Sequence, residues 1–305
     1  MTTDIVTKYV WIVDTINRYG SLTRREINDL WLRSALSDGK SIPERTFFHY
    51  RRAIESLFHI DIECTSRGEY YIECPESHRD QVFRNWLMDS YAIRGAVGDS
   101  VEISSRIIVE NVPSAREFLP LATDAIRRNH KLRFSYAGFS RSKIDEDIVF
   151  HPYLVRLYKQ RWYMVGYKEK SKEIRTYALD RVVEMRIMAE SFRLPDEVDP
   201  ASFYENYVGV TTGQSEVYTV KIETDPIQAK YFRALPFHHS QQEETHERYS
   251  IFTFRLKLNY ELVHELLWFG SNVKILEPPQ LKAMIVSELN NTLEYYTGNT
   301  SPAGK

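Results

Sequence analysis

The chain has 305 residues and is nearly neutral, with 40 lysine and arginine side chains against 42 aspartate and glutamate. This length predicts two or three domains, and a hydrophobic content of 43% is enough to build a core in each. No segment has the apolar length of a membrane span, and the N-terminus lacks a secretory pattern, so we expect a cytoplasmic protein.

Three helical patterns open the chain and place a first domain at residues 1–78. The first helix is predicted to stop at Gly20, and Thr23 and Glu26 have the spacing of a capping box that starts a second helix. Pro43 lies where the first turn of a third helix tolerates proline. Apolar residues recur at helical spacing in the first helix: Ile5, Tyr9, Ile12, Val13 and Ile16.

The third helix has an apolar face and a polar face, and a hairpin follows it. We predict that Phe47, Tyr50, Ile54 and Leu57 face the core. Three helices and a hairpin predict a winged helix-turn-helix, in which arginine can read guanine edges in the major groove. The alternative is a packing module that binds protein. The predicted DNA-binding residues are Arg24, Arg25, Arg45, Thr46, Phe48, His49, Arg52 and Arg67.

The hairpin contains both cysteines of the chain. If its strands pair around a four-residue turn, Ser66–Glu69, Cys64 lies opposite Tyr71 and Cys74 lies opposite Asp61. We therefore expect no disulfide between the two cysteines, and two thiols without a histidine cluster make a poor zinc site.

Residues 79–130 are predicted to form a mostly helical connector. Apolar residues from Val82 to Ile93 suit one helix, and residues 116–126 suit another. Stiff helices could transmit a change from one domain to the next, although a simple spacer fits the same pattern.

The central part of the chain is rich in predicted strands and in basic residues. Strands are predicted at 132–136, 149–155, 161–167 and 175–181, with Pro152 indicating an edge or a bulge in the second. Residues 131–193 carry 14 basic and 8 acidic side chains, whereas 194–305 carry 9 and 15. A basic excess beside aromatic residues is typical of a phosphate or nucleic-acid site, unless it serves only solubility.

Two motifs in these strands resemble the WYL domain. That family is named for a Trp-Tyr-Leu triplet, here Trp162 to Met164, and pairs it with an Arg-x-Tyr-x-Leu-Asp-Arg strand, here Arg175 to Arg181. Methionine conserves the volume of the leucine that it replaces. The resemblance implies a ligand-sensing WYL domain at 131–195, built as a small Sm-like β-barrel or bent sheet, in a bacterial regulator. Such regulators often carry Arg-Asp where this chain has His49-Tyr50.

Four residues are candidates for binding an anionic ligand, either a nucleotide or a short single-stranded nucleic acid: Tyr136, His151, Arg175 and Arg181. The two arginines are predicted to alternate onto one side of the same strand, where their guanidinium groups can hold phosphate. Tyr136 and His151 would add a hydroxyl, a ring nitrogen and a stacking face. The alternative is that Arg181 pairs with an acid such as Asp180 and that Arg175 is solvated.

Residues 196–305 change pattern again and predict a C-terminal α+β extension. Their order, βαββαβ followed by a last helix, predicts a ferredoxin-like split-βαβ module. The motifs Trp268 to Gly270, Val273 to Pro278, and Tyr295-Tyr296 resemble the extension that follows many WYL domains. Catalytic motifs are missing, and Trp268 stands where a metalloprotease helix begun by His264-Glu265 would need its second histidine. We expect no catalytic residue, metal or cofactor.

Together these features predict an α+β multidomain protein that is not an enzyme. We expect a homodimeric transcriptional regulator, a repressor rather than an activator, that binds an inverted-repeat operator in double-stranded DNA and responds to its WYL ligand. Some WYL regulators govern phage defence or the response to DNA damage. One alternative is a nucleic-acid-responsive accessory protein that tunes a separate effector enzyme. Another, a nuclease or phosphodiesterase, is disfavoured by the missing acidic metal cluster.

Overall fold

The computed structural model describes residues 2–37, 39–58, 60–73, 85–90, 106, 115, 117–139, 143–213 and 216–298. The chain divides into two compact units, 1–110 and 111–305. Helices and three separate antiparallel sheets make it a multidomain α+β protein, as predicted. None of the helices in the described parts is long and apolar enough to cross a membrane.

In the N-terminal unit, the described residues from 2 to 73 form three α-helices and a three-stranded sheet in the order β1-β3-β2. Its elements are α1 (Thr2–Tyr19), β1 (Ser21–Thr23), α2 (Arg24–Leu32), α3 (Glu44–Phe58), β2 (Ile62–Cys64) and β3 (Glu69–Ile72). The capping box predicted at α2 is confirmed: Glu26 N donates to Thr23 Oγ1 over 3.3 Å, and Thr23 N donates to Glu26 Oε2 over 2.8 Å. Gly20, at φ +81°, takes the left-handed conformation that ends α1.

Helix α3 packs on the core through Phe47, Ile54 and Phe58, all almost fully buried. The prediction that Leu57 faces the core is wrong, since 46% of this residue is exposed. At 3.6 residues per turn, Leu57 lies about 60° from Ile54 on one side, whereas Phe58 lies about 40° away on the side of Phe47. The buried stripe therefore runs through Phe58.

The hairpin β2–β3 has a shorter loop than predicted. Thr65 N donates to the Glu69 carbonyl over 2.8 Å, so only three residues, 66–68, form the loop. Gly68 closes this loop at φ +79°, as the glycine of a three-residue hairpin does. Cys64 therefore lies opposite Tyr70 rather than Tyr71. Cys64 is a free, exposed thiol, and Cys74 lies outside the described residues.

Most of the predicted helical connector, including Val82 and Ile93, lies outside the described residues. Residues 85–90 are helical, and within them Met88 is buried in the core of the N-terminal unit. The second unit has its first long helix, α4, at Leu119–Arg128.

A five-stranded antiparallel sheet follows α4 in the order β7-β6-β5-β4-β8. Its strands are β4 (His130–Tyr136), β5 (Asp145–Tyr158), β6 (Arg161–Lys168), β7 (Glu173–Ala178) and β8 (Val182–Ser191). Ala122 and Ala125 of α4 are fully buried in one core with Leu132 and Phe134 of β4, so the helix covers one face of the sheet.

Pro152 predicted either an edge strand or a bulge. Strand β5 lies in the middle of this sheet and contains a bulge. Pro152 pairs with Gly166 and Leu154 with Val165, which leaves Tyr153 as the extra residue. A Cβ atom added at Gly166 would lie only 2.0 Å from the His151 carbonyl oxygen. Glycine at this position therefore allows the two backbones to approach closely beside the bulge.

The prediction that Arg175 and Arg181 share one strand is wrong. Strand β7 ends at Ala178, a 3₁₀ turn covers Leu179–Arg181, and β8 begins at Val182. Leu179 is fully buried, and the chain turns at this point instead of continuing as a strand. The two arginines consequently belong to different elements.

The C-terminal part forms a four-stranded antiparallel sheet in the order β10-β11-β9-β12, with helices after β9, β11 and β12. The elements are β9 (Val217–Thr224), α5 (Pro226–Ala234), β10 (Gln242–Thr245), β11 (Ser250–Lys257), α6 (Tyr260–Leu267), β12 (Val273–Glu277) and α7 (Pro279–Thr297). Their βαββαβα order is the predicted one. Asp225 and Asn259 cap α5 and α6 by accepting hydrogen bonds from backbone N–H groups of the first turn.

Residues 202–213, here called the junction segment, are hydrogen-bonded to the five-stranded sheet and to the start of helix α6. The Val210 carbonyl accepts from Thr176 Oγ1 of β7 over 3.1 Å, and Val210 N donates to Glu261 Oε1 of α6 over 3.2 Å. Asn259 Nδ2 also donates to the Val208 and Thr211 carbonyls, over 2.7 and 3.0 Å. The segment is therefore held by the five-stranded and the four-stranded part alike.

Candidate nucleic-acid interfaces

The outward face of α3 brings together four of the predicted DNA-binding residues. Arg45, Phe48, His49 and Arg52 are all exposed and, with Glu44, line one shallow depression. Their spacing of three, four and seven residues places them on one side of a helix whose other side is buried. Two guanidinium groups, an imidazole and an aromatic ring are therefore presented together.

The remaining predicted DNA-binding residues lie around that face in different environments. Arg25 is exposed at the start of α2, and Arg67 is exposed in the hairpin loop. Arg24 forms an ion pair with Glu44, with 3.7 Å between Nη2 and Oε2. Thr46 is half-buried, so α3 does not present it with the other four.

In the five-stranded sheet, Tyr136 and Arg181 meet at one end. The Ala137 N–H donates to the Arg181 carbonyl over 3.0 Å, and the Tyr136 hydroxyl oxygen accepts from Ala178 N over 3.4 Å. The Tyr136 ring also contacts the Tyr177 ring edge-on, with 4.8 Å between centroids. The backbone of the 3₁₀ turn thus fixes Arg181 beside the end of β4.

Arg175 lies on β7 opposite Gly166 and forms an ion pair with Glu173, while more than half of its side chain stays exposed. Nearby, Lys168 Nζ lies 2.8 Å from Asp145 Oδ2, and the side chain of this lysine is only 15% exposed. Burial lowers the pKa of this lysine, but the hydrogen bonds to Asp145 and Tyr177 outweigh it, and the net shift is upward. Lys168 is thus a firmly charged ammonium group close to the buried Tyr177 ring.

His151 has different partners from the other three ligand candidates. Its Nε2 lies 2.8 Å from Glu169 Oε1, which also accepts from Lys131 Nζ over 2.6 Å. These two hydrogen bonds hold the pKa of the Glu169 carboxyl below its usual value. The imidazole stacks on the Phe192 ring, with centroids 5.1 Å apart.

The two faces of the sheet separate His151 from Tyr136. Tyr136 follows the core-facing Phe134 by two residues, and Phe150 faces that core opposite Leu132. Because successive side chains of a strand alternate between faces, His151 faces away from the Tyr136 side. The structure thus brings Tyr136 and Arg181 together and places His151 elsewhere.

The solvent-facing side of β4, β5 and β8 contains a groove that none of the four ligand candidates lines. Its charged residues are two arginines and three acids: Arg133, Arg186, Glu146, Asp147 and Glu184. Arg133 Nη1 is already bound to Asp147 Oδ1 over 2.9 Å. An acidic balance and an occupied arginine make this groove a poor anion site.

Two residues near the ligand candidates were missed from the sequence, Lys168 and Phe139. Phe139 is 81% exposed in the loop after β4, and the Arg181 guanidinium carbon lies 3.5 Å from the centre of its ring. An aromatic residue inside a short polar loop was the available signal. In the described parts of the chain, no group of three or more histidine, cysteine or acidic side chains is placed to hold a metal ion.

Comparison with known proteins identifies two domains. Residues 117–187 match the family model of the WYL domain, and residues 216–293 match that of the WCX domain. These matches confirm the resemblance predicted from the strand motifs. No curated protein matches the chain.

Two solved structures are similar over 98% of this chain. Proteasome accessory factor B/C (PafBC) of Arthrobacter aurescens is 17% identical with a TM-score of 0.36, and 48% of its length is covered. A CRISPR Cas-related protein is 12% identical with a TM-score of 0.28, and 85% of its length is covered. The chain therefore spans about half the length of PafBC.

Proposed function

We propose that this chain, which carries a WYL domain followed by a WCX domain, is a cytoplasmic, sequence-specific DNA-binding transcriptional regulator. In this proposal it represses transcription, has no catalytic activity and needs no cofactor. A nucleotide or short single-stranded nucleic acid binds at the WYL domain and changes the affinity for the operator. The ligand can change that affinity only by as much as its own affinity differs between the two states.

The proposal assigns a role to each part of the chain. Residues 1–78 form a winged helix-turn-helix, supported by three helices, a three-stranded sheet and the hairpin that supplies the wing. Residues 79–130 form the connector, and 131–195 form a ligand-sensing domain of Sm-like type. Residues 196–305 form a ferredoxin-like extension, supported by the strand order β10-β11-β9-β12.

The observation that carries the DNA-binding role is the exposed face of α3. Arg45 and Arg52 lie seven residues apart on the same face of the helix, with His49 between them, and all three residues are exposed. In a helix-turn-helix the second helix of the motif enters the major groove, where arginine can bind guanine O6 and N7 bidentately. In this proposal, Arg67 in the exposed hairpin loop contacts the DNA backbone or the minor groove.

The test measures the affinity of the purified protein for genomic fragments that it selects, by fluorescence anisotropy against random duplex of equal length. We expect Arg45→Ala or Arg52→Ala to weaken binding to the selected site by about 1–3 kcal/mol. Arg18→Ala is the matched control, because Arg18 is an exposed arginine on α1 rather than α3. Equal affinity of the wild type for selected and random duplex would rule out the regulator.

A homodimer is part of this proposal, because two-fold symmetry explains an inverted-repeat operator. What supports it is the outer side of α7, where Val286, Leu289, Leu293 and Tyr296 are 46%, 52%, 61% and 81% exposed. Their spacing of three, four and three residues is that of a two-helix seam, which a second copy of α7 would cover. Sedimentation equilibrium gives the mass directly, and a monomer at the concentrations that bind DNA would exclude this seam.

The regulated genes are proposed to act in phage defence or in the response to DNA damage, as the WYL resemblance implies. Transcripts measured with and without the gene, before and after infection or DNA damage, test this part separately from DNA binding.

The alternative, an accessory protein for a separate effector, is favoured by one observation. Ile227 and Tyr231 of α5 and Leu235, which directly follows this helix, are 69%, 66% and 81% exposed. Such an apolar stripe suits a protein partner. If no duplex is preferred over random sequence, this alternative replaces the promoter-binding role.

A further inference from the structure

The loop after β4 presents Phe139 to solvent in an unusual way. A large apolar ring that is 81% exposed gains little from burial, yet this ring lies directly over the Arg181 guanidinium group at 3.5 Å. The contact is a cation–π interaction between two residues that are far apart in sequence. One face of the ring is thus occupied by a cation, and the opposite face is left to solvent.

Arg181 is held firmly beneath the ring. Its carbonyl accepts from Ala137 N over 3.0 Å, and its Nε is buried without a hydrogen-bond partner among the described residues. The side chain of the preceding residue, Asp180, is 8% exposed and bound to Arg161. Because its backbone is hydrogen-bonded and its Nε is enclosed, the guanidinium group is fixed in place. It contributes positive charge directly beneath Phe139.

We propose that Phe139 is the base-stacking residue of the WYL ligand site, so that the ligand must carry an aromatic base and phosphate alone does not suffice. The inference rests on the proposed ligand-sensing function and adds the residue that recognises the base of the ligand. Arg181 acts through Phe139 as a positioning residue that fixes the ring. A base stacks on the outer face of the ring.

Three physical effects favour this arrangement. Base–aromatic stacking contributes about 1–3 kcal/mol per base. A ring already fixed by a cation loses less conformational freedom when the base arrives than a freely rotating ring would. The positive charge beneath the ring also attracts the phosphate that accompanies the base. Tyr136, whose hydroxyl oxygen accepts from Ala178 N at the end of the strand that leads to Arg181, stiffens the floor of the site.

The opposite role for Phe139, a cover over Arg181, predicts the opposite change in ligand binding. If the ring were a cover over Arg181, removing it would expose the guanidinium group and strengthen binding of any phosphate-containing molecule. If the ring is a stacking platform, removing it weakens binding, and only for ligands that have bases.

The experiment uses the full chain and two fluorescent probes of equal length, an oligothymidylate and an abasic oligodeoxynucleotide with the same phosphates. Phe139→Leu keeps an apolar side chain without a π-face, and Phe139→Trp keeps the stacking face. Tyr231→Leu is the matched control, because it removes a 66% exposed ring from α5 in the C-terminal part. Circular dichroism melting checks that each variant is folded.

We expect Phe139→Leu to bind oligothymidylate about 5- to 150-fold more weakly, the range that stacking of one base corresponds to. Phe139→Trp and Tyr231→Leu should bind it as the wild type does, and the abasic probe should bind weakly to all four proteins. Unchanged or tighter binding by Phe139→Leu, or wild-type binding of both probes with equal affinity, would overturn the stacking role alone. Failure of the wild type to bind either probe would overturn the ligand-sensing function as well.

Discussion

Among the described glycines of the second unit whose backbone conformation accepts alanine, Gly166 should be the one whose replacement by alanine is most destabilising. The added Cβ would lie 2.0 Å from the His151 carbonyl oxygen, 2.8 Å from Phe150 Cε1 and 2.9 Å from the His151 carbonyl carbon. Real Cβ atoms keep at least 3.0 Å from such neighbours, and backbone atoms of a central strand cannot swing aside. Strands β5 and β6 would have to separate next to the bulge.

The loss in the free energy of unfolding follows from known overpacking energies. Inserting one carbon atom into a tight contact costs about 1–3 kcal/mol, and a backbone obstacle favours the upper end of that range. Alanine also stabilises by about 0.4–1 kcal/mol because it restricts the unfolded chain, which leaves a net loss of about 2 kcal/mol. For a unit of this size, about 2–4 °C of melting temperature corresponds to each kcal/mol, so we expect a decrease of about 4–8 °C.

Thermal unfolding of the full chain, followed by circular dichroism, measures this decrease. Gly213→Ala is the matched control, since a Cβ at Gly213 meets nothing within 4 Å and its φ is an ordinary one. That control should melt at the wild-type temperature or slightly above. If Gly166→Ala melts together with Gly213→Ala, the close approach of β5 and β6 is not what requires glycine.

Two further predictions concern stability. Burial and the neighbouring His239 lower the pKa of His238 from 6.5 to about 4. Between these pH values the folded protein binds fewer protons than the unfolded chain, so it loses stability as the pH falls. His238→Gln should flatten this part of the curve of melting temperature against pH, and an unchanged curve would contradict the prediction. Thr176→Val removes the hydrogen bond to the Val210 carbonyl and should cost about 1 kcal/mol in urea unfolding. Thr123→Val, whose hydroxyl donates only within its own helix, should cost less, and equal losses would deny the junction bond a special role.

Helical periodicity predicted much of the N-terminal core, because buried positions on a helix repeat at a fixed angle. It failed at Leu57, where a choice between neighbouring positions at the end of α3 depends on how the hairpin packs. The register of the hairpin is harder to predict than its helices. A three-residue loop instead of a four-residue loop at Gly68 shifts every residue pair of the hairpin by one, and the sequence indicates the loop length only through the conformation of this glycine.

The candidate ligand site shows a different limit. The motif from Arg175 to Arg181 was recognised from the sequence, but the turn inside it was not, because the burial of Leu179 that bends the chain is a tertiary property. The contact between Phe139 and Arg181 joins two loops brought together by the sheet. No local pattern along the chain could have paired these two residues.

The junction segment has a consequence for how these domains can be exchanged between proteins. A WYL domain that ended before residue 202 would leave the Thr176 hydroxyl without the Val210 carbonyl. A WCX domain that began at 216 would leave the Glu261 carboxylate and Asn259 Nδ2 without their partners in the junction segment. Each of the two separated domains would thus lose hydrogen bonds that the junction segment provides. Chimeric chains that exchange the two domains together with residues 202–213 should fold, whereas those cut within this segment should be less stable.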